Sequence, residues 1–399
     1  MSTARPVSRL SLLLTLGALT AAAPLSVDMY LPSLPTLTQV FGVDAARAQL
    51  TLASFFIGFA GGQSIYGPLA DRFGRKRPLM AGLLLFALAS VGCALAPTIG
   101  VLIALRLVQA IGACAGGVIS RAMVRDLFPP AEAANLFSSL MLVMGVAPLL
   151  APLLGGWLLD LFGWASIFWL LAILGGAACI ATFALLPETH QPDPSRPFAL
   201  GSALRVYARL LSDRYFLAYA LAGGLSMAGM FAYIAGVPFV LIDIYHVPPQ
   251  QFGLFFAVNV IALIGAAQFN RLALKRLSQQ QVIRRALFVQ LLAGLTLFAL
   301  GSTGTFGLYG IVVPLFVFAG SIGFVTPNST TMAMAPYGRD AGSASALLGT
   351  IQFTLAAIMA STVGALEDHT ARPMTIVIAS CSIAGVICFA VLRPRSAIV

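Results

Sequence analysis

Gly67-Pro68-Leu69-Ala70-Asp71-Arg72-Phe73-Gly74-Arg75-Lys76-Arg77 is the stretch on which the reading of the fold turns. It crowds four basic residues, one acid, two glycines and a proline into eleven positions. On either side lie apolar runs, 48–69 and 78–97, each near the roughly 20 residues that a helix needs to cross a bilayer. A short charged segment between two such runs is a tight connection between membrane helices at one face of the membrane. Its glycines permit a sharp reversal with close helix approach. Its charges suit pairing and the capping of helix ends.

Working outward, the same alternation of apolar run and charged connection continues along the whole chain. Twelve runs qualify as membrane spans: 10–31, 48–69, 78–97, 99–120, 135–158, 164–186, 215–242, 251–270, 284–302, 307–327, 341–364 and 372–392. The seventh is long enough to tilt or to continue past the bilayer. Of the 399 residues 59% are hydrophobic and only 9% are charged, with a mean hydropathy of +0.94. A soluble domain carries about a quarter charged residues, so most of this surface must face lipid. Arg5 and Arg9 precede the first run as in a signal peptide, but the run from Leu10 to Leu31 is too long for one, and it is read as a retained first span.

Topology follows from charge. With the N-terminus inside, 20 of the 23 Lys and Arg residues fall on the cytoplasmic side, whereas the acids divide five outside and seven inside. That bias concerns basic residues alone and supports twelve spans with both termini cytoplasmic. The polar segment 188–213 divides the chain into two sets of six spans, 1–187 and 214–399. The expected architecture is an all-α integral membrane protein with twelve transmembrane helices in two pseudo-symmetric six-helix bundles joined by a cytoplasmic linker.

Two ionisable residues lie within the spans, and an intramembrane charge is a functional hypothesis by default. Arg106 stands in Arg106-Leu-Val-Gln109-Ala-Ile-Gly112 of span four, and Asp28 in Ser26-Val-Asp28-Met-Tyr30-Leu-Pro32 of span one. Taking span one to end near Pro35 and span four to start near Thr98 puts Asp28 about 10 Å and Arg106 about 12 Å from the outer end. At similar depth the two could pair directly or through water, and burial would then compete with the Arg for the carboxyl proton. The plainer readings are a hydrated interfacial Asp28 and an Arg106 that only ties helices together. Span five carries Gly145-Val-Ala-Pro148-Leu-Leu-Ala-Pro152-Leu-Leu-Gly155-Gly156, costly in an ordinary helix but suited to kinks and close packing in a membrane. Candidate cavity residues are Tyr30, Gln109, Met141, Met144, Met227, Met230, Phe231, Tyr233, Asn259 and Gln352. Met and aromatic side chains suit adaptable apolar ligands, and amides in spans tend to face the interior.

Several classes are disfavoured. The net charge of +10 is scattered among loops rather than gathered on a soluble face, so nucleic acid is not a partner. Five cysteines without a CxxC pair give neither a disulfide framework nor a metal site, and no cofactor is expected. The three histidines lie in predicted loops, and no catalytic set accompanies them, which disfavours an enzyme or receptor. No G-x-x-x-x-G-K loop is present to power an ATP-driven pump.

The Gly67–Arg77 string resembles the signature loop of the major facilitator superfamily. The Arg106 string is similar to that superfamily's fourth-helix motif, with Ala110 in place of a usual Gly. The span-five string resembles the antiporter motif of its drug exporters, with Ala151 in place of a Gly. With Asp28-Met-Tyr-Leu-Pro-Ser-Leu-Pro, the whole looks like the Bcr/CflA group of drug–proton antiporters. The resemblance implies the major facilitator fold and a cytoplasmic latch formed by Gly67, Asp71, Arg72, Gly74, Arg75 and Lys76, with Asp71 and Arg72 at its centre. It implies proton coupling through Asp28 and Arg106. Export is implied by the motif containing Gly145, Pro148, Pro152, Gly155 and Gly156. The expected partners are protons, a small drug-like substrate and the lipid bilayer, in a monomer of a bacterial inner membrane. Uptake or facilitated diffusion of a metabolite is the alternative.

Overall fold

The computed structural model describes residues 9–190, 200–337 and 341–392; the side chains of 9–10, 13, 130–131, 133–135, 137–139, 141–144, 200–204 and 341 lie outside that description. The described residues form α-helices in chain order, with no strand among them: α1 (Arg9–Asp28), α2 (Leu34–Phe41), α3 (Ala45–Phe73), α4 (Lys76–Ala94), α5 (Ile99–Leu127), α6 (Pro130–Phe162), α7 (Ala165–Leu185), α8 (Leu200–Ser212), α9 (Arg214–Pro238), α10 (Pro249–Ala273), α11 (Gln279–Thr303), α12 (Gly307–Met334), α13 (Ala341–Ala365) and α14 (Arg372–Leu392).

Helix starts are set by local chemistry. The Asp44 carboxylate accepts the Arg47 amide at 2.8 Å to cap α3, and the Thr98 hydroxyl accepts the Val101 amide at 3.3 Å to cap α5. Ser278 and Gln281 form a reciprocal capping box at α11. Large apolar side chains such as Trp157, Ile180, Phe183 and Phe288 stand exposed on the outer flanks, as lipid-facing surfaces require.

Eleven segments among the described residues are long and apolar enough to cross a membrane. The twelfth span is α3, whose 29 residues cover about 44 Å. Its hydropathy is diluted by Gln49, Thr51 and Ser54, which are buried inside the protein. This is physically consistent, because α3 packs between α5 and α13 and needs little lipid-compatible surface.

The first span departs from the sequence expectation. It does not stop at Leu31 but runs on to Phe41, as α1, a 3₁₀ turn at Leu31–Ser33 and α2. Pro32 and Pro35 sit at the starts of the two following helical pieces, where a missing N–H costs nothing. They restart the helix rather than end the span.

The helices segregate into two groups. In the first, α3 and α4 pack on α5, α4 packs on α7, and α1 packs on α5, α6 and α7. In the second, α9 packs on α12, α13 and α14, α11 packs on α12 and α14, and α10 packs on α12. The groups meet along two seams, α3 with α13 and α6 with α10. Within the expected linker, α8 docks on α9 and α13, and the Tyr337 hydroxyl donates to Asp213 at its end.

Candidate functional site

Asp28 is the last residue of α1, immediately before the break, and is 5% exposed. The correction to span one changes its depth. Asp28 lies 13 residues from the end at Phe41, or about 20 Å of helical path. Arg106, eight residues into α5, lies over the ring of Tyr30, two residues after Asp28, yet the two charged side chains form no ion pair in this structure. Of the two forms of pairing expected, the direct one is not made here. Instead Asp28 is within electrostatic reach of Tyr233 on α9, in the opposite bundle. The Tyr233 hydroxyl accepts a 3.0 Å hydrogen bond from Asn259 Nδ2 of α10, and Asn259 Oδ1 is buried without a partner. A phenol hydrogen-bonded to an amide with a free acceptor thus lies within electrostatic reach of the Asp28 carboxyl group, from the opposite bundle.

Arg106 is fully buried inside the first bundle. Its guanidinium carbon lies 4.4 Å from the Phe55 ring centre, 4.6 Å from Tyr30 and 5.7 Å from Phe168, an aromatic box suited to a cation. Nη1 donates to Gln109 Oε1 at 2.6 Å, and Gln109 Nε2 donates to the Ser90 hydroxyl at 2.7 Å. Nε and Nη2 are buried without partners. Gln109 is itself fully buried and stands behind Arg106 in this structure. Tyr30 is likewise enclosed, with its hydroxyl 2.8 Å from Thr51 Oγ1.

At the α3–α13 seam, Phe231 of α9 packs 4.5 Å from Phe56 of α3 and 5.6 Å from Phe353 of α13. Phe59 completes the cluster, 4.6 Å from Phe353. Of the expected cavity residues, Phe231, Tyr233 and Asn259 are brought to the seam, Met230 is buried on α9, and Met227 and Gln352 are partly buried. Met141 and Met144 fall on side chains outside the described residues. Phe56, Phe59 and Phe353 were missed by sequence reasoning. Their only signal is that aromatic residues on α3 and α13 occur beside polar ones.

The span-five motif supplies the tightest packing. A β-carbon at Gly155 would overlap the Met29 carbonyl, one residue after Asp28, and one at Gly156 would overlap the Pro249 carbonyl at the start of α10. Reciprocally, a β-carbon at Gly253 would lie 2.6 Å from the Leu153 side chain. Pro148 and Pro152 both lie inside α6. Gly145 faces only the end of the Ile264 side chain, at 3.2 Å from a β-carbon. The bundles are thus in backbone contact at the end of the molecule where α6 stops and α10 starts.

The Gly67–Arg77 segment is less of a loop than expected. Its first seven residues continue α3, and the reversal occurs at Gly74, where φ is +83° and a β-carbon would lie 2.6 Å from the Glu188 carboxylate. Gly67 has open space beside it, so no close helix approach explains it here. The hub is Arg75 rather than Arg72. Arg75 donates to Asp71 at 2.5 Å and to Asp126 at the end of α5 at 2.9 Å. Partial burial opposes its charge, but hydrogen bonds and charges from Asp126 and Asp71 outweigh that and raise its pKa. The amides of Arg75 and Lys76, which open α4, donate to Glu188 at 2.7 and 3.1 Å. Glu188 thereby satisfies orphan donors at the positive end of that helix. Lys76 Nζ donates to the Phe183 carbonyl at 2.8 Å, while Arg72 lies over the Phe73 ring. Asp126 and Glu188 were missed because each is remote in sequence from the motif it completes.

Two helical bundles with buried ionisable groups at and beside their seam, and interruptions in the helices that carry them, make up the architecture of a secondary transporter. The family profile described as Major Facilitator Superfamily matches residues 16–361. A Bacillus subtilis protein named "Uncharacterized MFS-type transporter YdgK" is 38% identical, with 96% of this chain and 95% of the relative covered. The "Bicyclomycin resistance protein homolog" of Haemophilus influenzae is 33% identical, with 96% of each covered. "Multidrug resistance protein D" of Escherichia coli is 28% identical, with 88% of each covered. Among solved structures, the D-xylose–proton symporter aligns with a TM-score of 0.72 at 16% identity and 96% coverage of each chain, a likeness of fold. The chain belongs to the Major Facilitator Superfamily and is a multi-pass membrane transporter rather than an enzyme.

Proposed function

We propose that this transporter is a proton-coupled antiporter that exports small amphipathic, drug-like molecules by alternating access. Relatives named for bicyclomycin and multidrug resistance support the export of such molecules. The observation that carries the coupling is Asp28, a carboxyl group buried at a helix break, without an ion-pair partner among the described residues and within electrostatic reach of Tyr233, which Asn259 holds in the opposite bundle. Rocking of the bundles would change what faces this group, and with it the preference for the protonated form. Substrate would enter the seam lined by Phe231, Phe56, Phe59 and Phe353, whose apolar surfaces favour unrelated amphipathic molecules.

Arg106 acts in this account as a fixed positive centre behind Tyr30 that biases the field at Asp28 without binding it. Gly155 and Gly156 shut the outer end, and Arg75 with Asp71, Asp126 and Glu188 holds α3, α4 and α5 together at the cytoplasmic rim. The protein would work as a monomer in a bacterial inner membrane with both termini inside. Bundles 1–187 and 214–399 would move as units about linker 188–213. The test is uptake by everted vesicles of a panel comprising bicyclomycin, phenicols, quinolones and dyes. Energised accumulation of one or more of these, abolished by a protonophore, is expected; accumulation that survives the protonophore contradicts coupling.

A further inference from the structure

Away from the seam, α10 and α11 each pack on α12 and leave a groove of about 670 Å³ between them on the membrane-facing flank. Its floor is made of small residues. A β-carbon at Gly265 would meet nothing within 4 Å, and one at Gly320 would make only ordinary contacts with Ala262 at 3.8 and 3.9 Å. The walls are exposed apolar side chains, among them Phe269, Val289 and Phe316. Along α10 the groove runs from Ile261 to Ala273, or about 18 Å. One leaflet of bilayer hydrocarbon is about 15 Å deep.

At one end this apolar channel meets a charge. Arg285 lines it and is exposed. Arg271 in the last turn of α10, Lys275 and Arg276 in the α10–α11 connection and Arg284 early in α11 are also exposed, and none of the five cations has an ion-pair partner among the described residues. From residue 244 to residue 339 the chain carries six basic residues and no acid. We infer that this groove is a binding site for one anionic phospholipid, with an acyl chain on the Gly265–Gly320 floor and the headgroup phosphate at Arg285. Lipid tails gain no hydrophobic energy by leaving bilayer for protein. Selectivity must therefore come from the headgroup, and a basic pocket between helix ends is the chemistry that recognises an anionic one. The occupant is a phospholipid of the leaflet that the α10–α11 connection faces, whatever the transported substrate.

Native mass spectrometry of the purified full chain with equimolar phosphatidylglycerol and phosphatidylcholine of matched chains tests this. The wild type is expected to retain one phosphatidylglycerol with about fivefold preference, the order of a single headgroup–cation contact. Arg285→Gln should bring the two lipids close to parity. Gly265→Leu, whose side chain enters open space, should remove the retained lipid of either kind. Arg271→Gln, outside the groove, should leave the preference unchanged. Equal retention of both lipids by the wild type overturns the site, as does an undiminished preference in Arg285→Gln. Equal loss in Arg271→Gln reduces the effect to diffuse surface charge and also overturns it.

Discussion

Arg75 Nε donates to Asp126 Oδ2 across 2.9 Å, which ties the start of α4 to the end of α5 through side chains 10% and 22% exposed. The same guanidinium holds Asp71 one turn earlier. Removing one partner of such a pair leaves charge uncompensated, and the cost here is about 2 kcal/mol, because Asp71 at 44% exposure is screened by solvent. Arg75→Gln is therefore expected to slow transport by up to about thirtyfold, the rate equivalent of about 2 kcal/mol, and to lower the melting temperature. Arg72→Gln should remain within about twofold of wild type, in the range of an exposed surface charge. Equal damage from the two substitutions in vesicle transport would count against Arg75 as the hub.

The glycines of the two motifs should respond in opposite ways. Gly156→Ala places a methyl group on the Pro249 carbonyl and should hold the bundles apart at that end. Transport is expected to fall at least about tenfold, since overpacking of a closed interface costs about 1–3 kcal/mol. Gly67→Ala meets open space inside α3 and should be tolerated or stabilising by up to about 1 kcal/mol. Thermal melts and transport assays on both variants read the difference, and loss of transport in Gly67→Ala would show that this position closes tightly in another state.

Arg106 presents a trade between stability and activity. Two buried nitrogens of its guanidinium lack partners. Arg106→Met keeps a long flexible side chain inside the Tyr30, Phe55 and Phe168 box and removes the desolvated charge. It is expected to raise thermal stability, on the order of 1 kcal/mol or more, while abolishing coupled transport. A variant that melts lower than wild type would show that the cation stabilises the box, and one that transports normally would remove Arg106 from the mechanism.

Much of this was legible in the sequence, for physical reasons that also mark where legibility stops. Apolar runs and basic connections announced the spans because lipid imposes composition on every exposed face. Run 48–69 announced α3 even though Gln49 and Thr51 within it are hidden by neighbouring helices; the rule fails for α2, where prolines look like an end but restart a helix. The same restart makes the sequence count from Asp28 to the end of its span too short, since that count stops at Pro35 rather than at Phe41. Motif residues were found but not their partners. Nothing local marks Glu188 as the cap of α4, or Pro249 as the surface against Gly156, because both contacts join distant parts of the chain.

Tyr233→Phe removes the acceptor of the Asn259 hydrogen bond at the seam while keeping the ring stacked 5.7 Å from Phe256. The stability cost should be about 1 kcal/mol, the size of one net hydrogen bond. The pH dependence of transport should shift relative to wild type, since the group facing Asp28 has changed. An unaltered pH profile would separate Tyr233 from the coupling.

The most direct test is proton movement in everted vesicles carrying Asp28→Asn, with expression and melting temperature matched to wild type. The wild type should dissipate an imposed pH gradient when an exported compound from the panel is added. Asp28→Asn should bind the same compound and leave the gradient intact. Substrate-dependent collapse of the gradient at the wild-type rate in Asp28→Asn would contradict the central claim that this carboxyl group carries the proton.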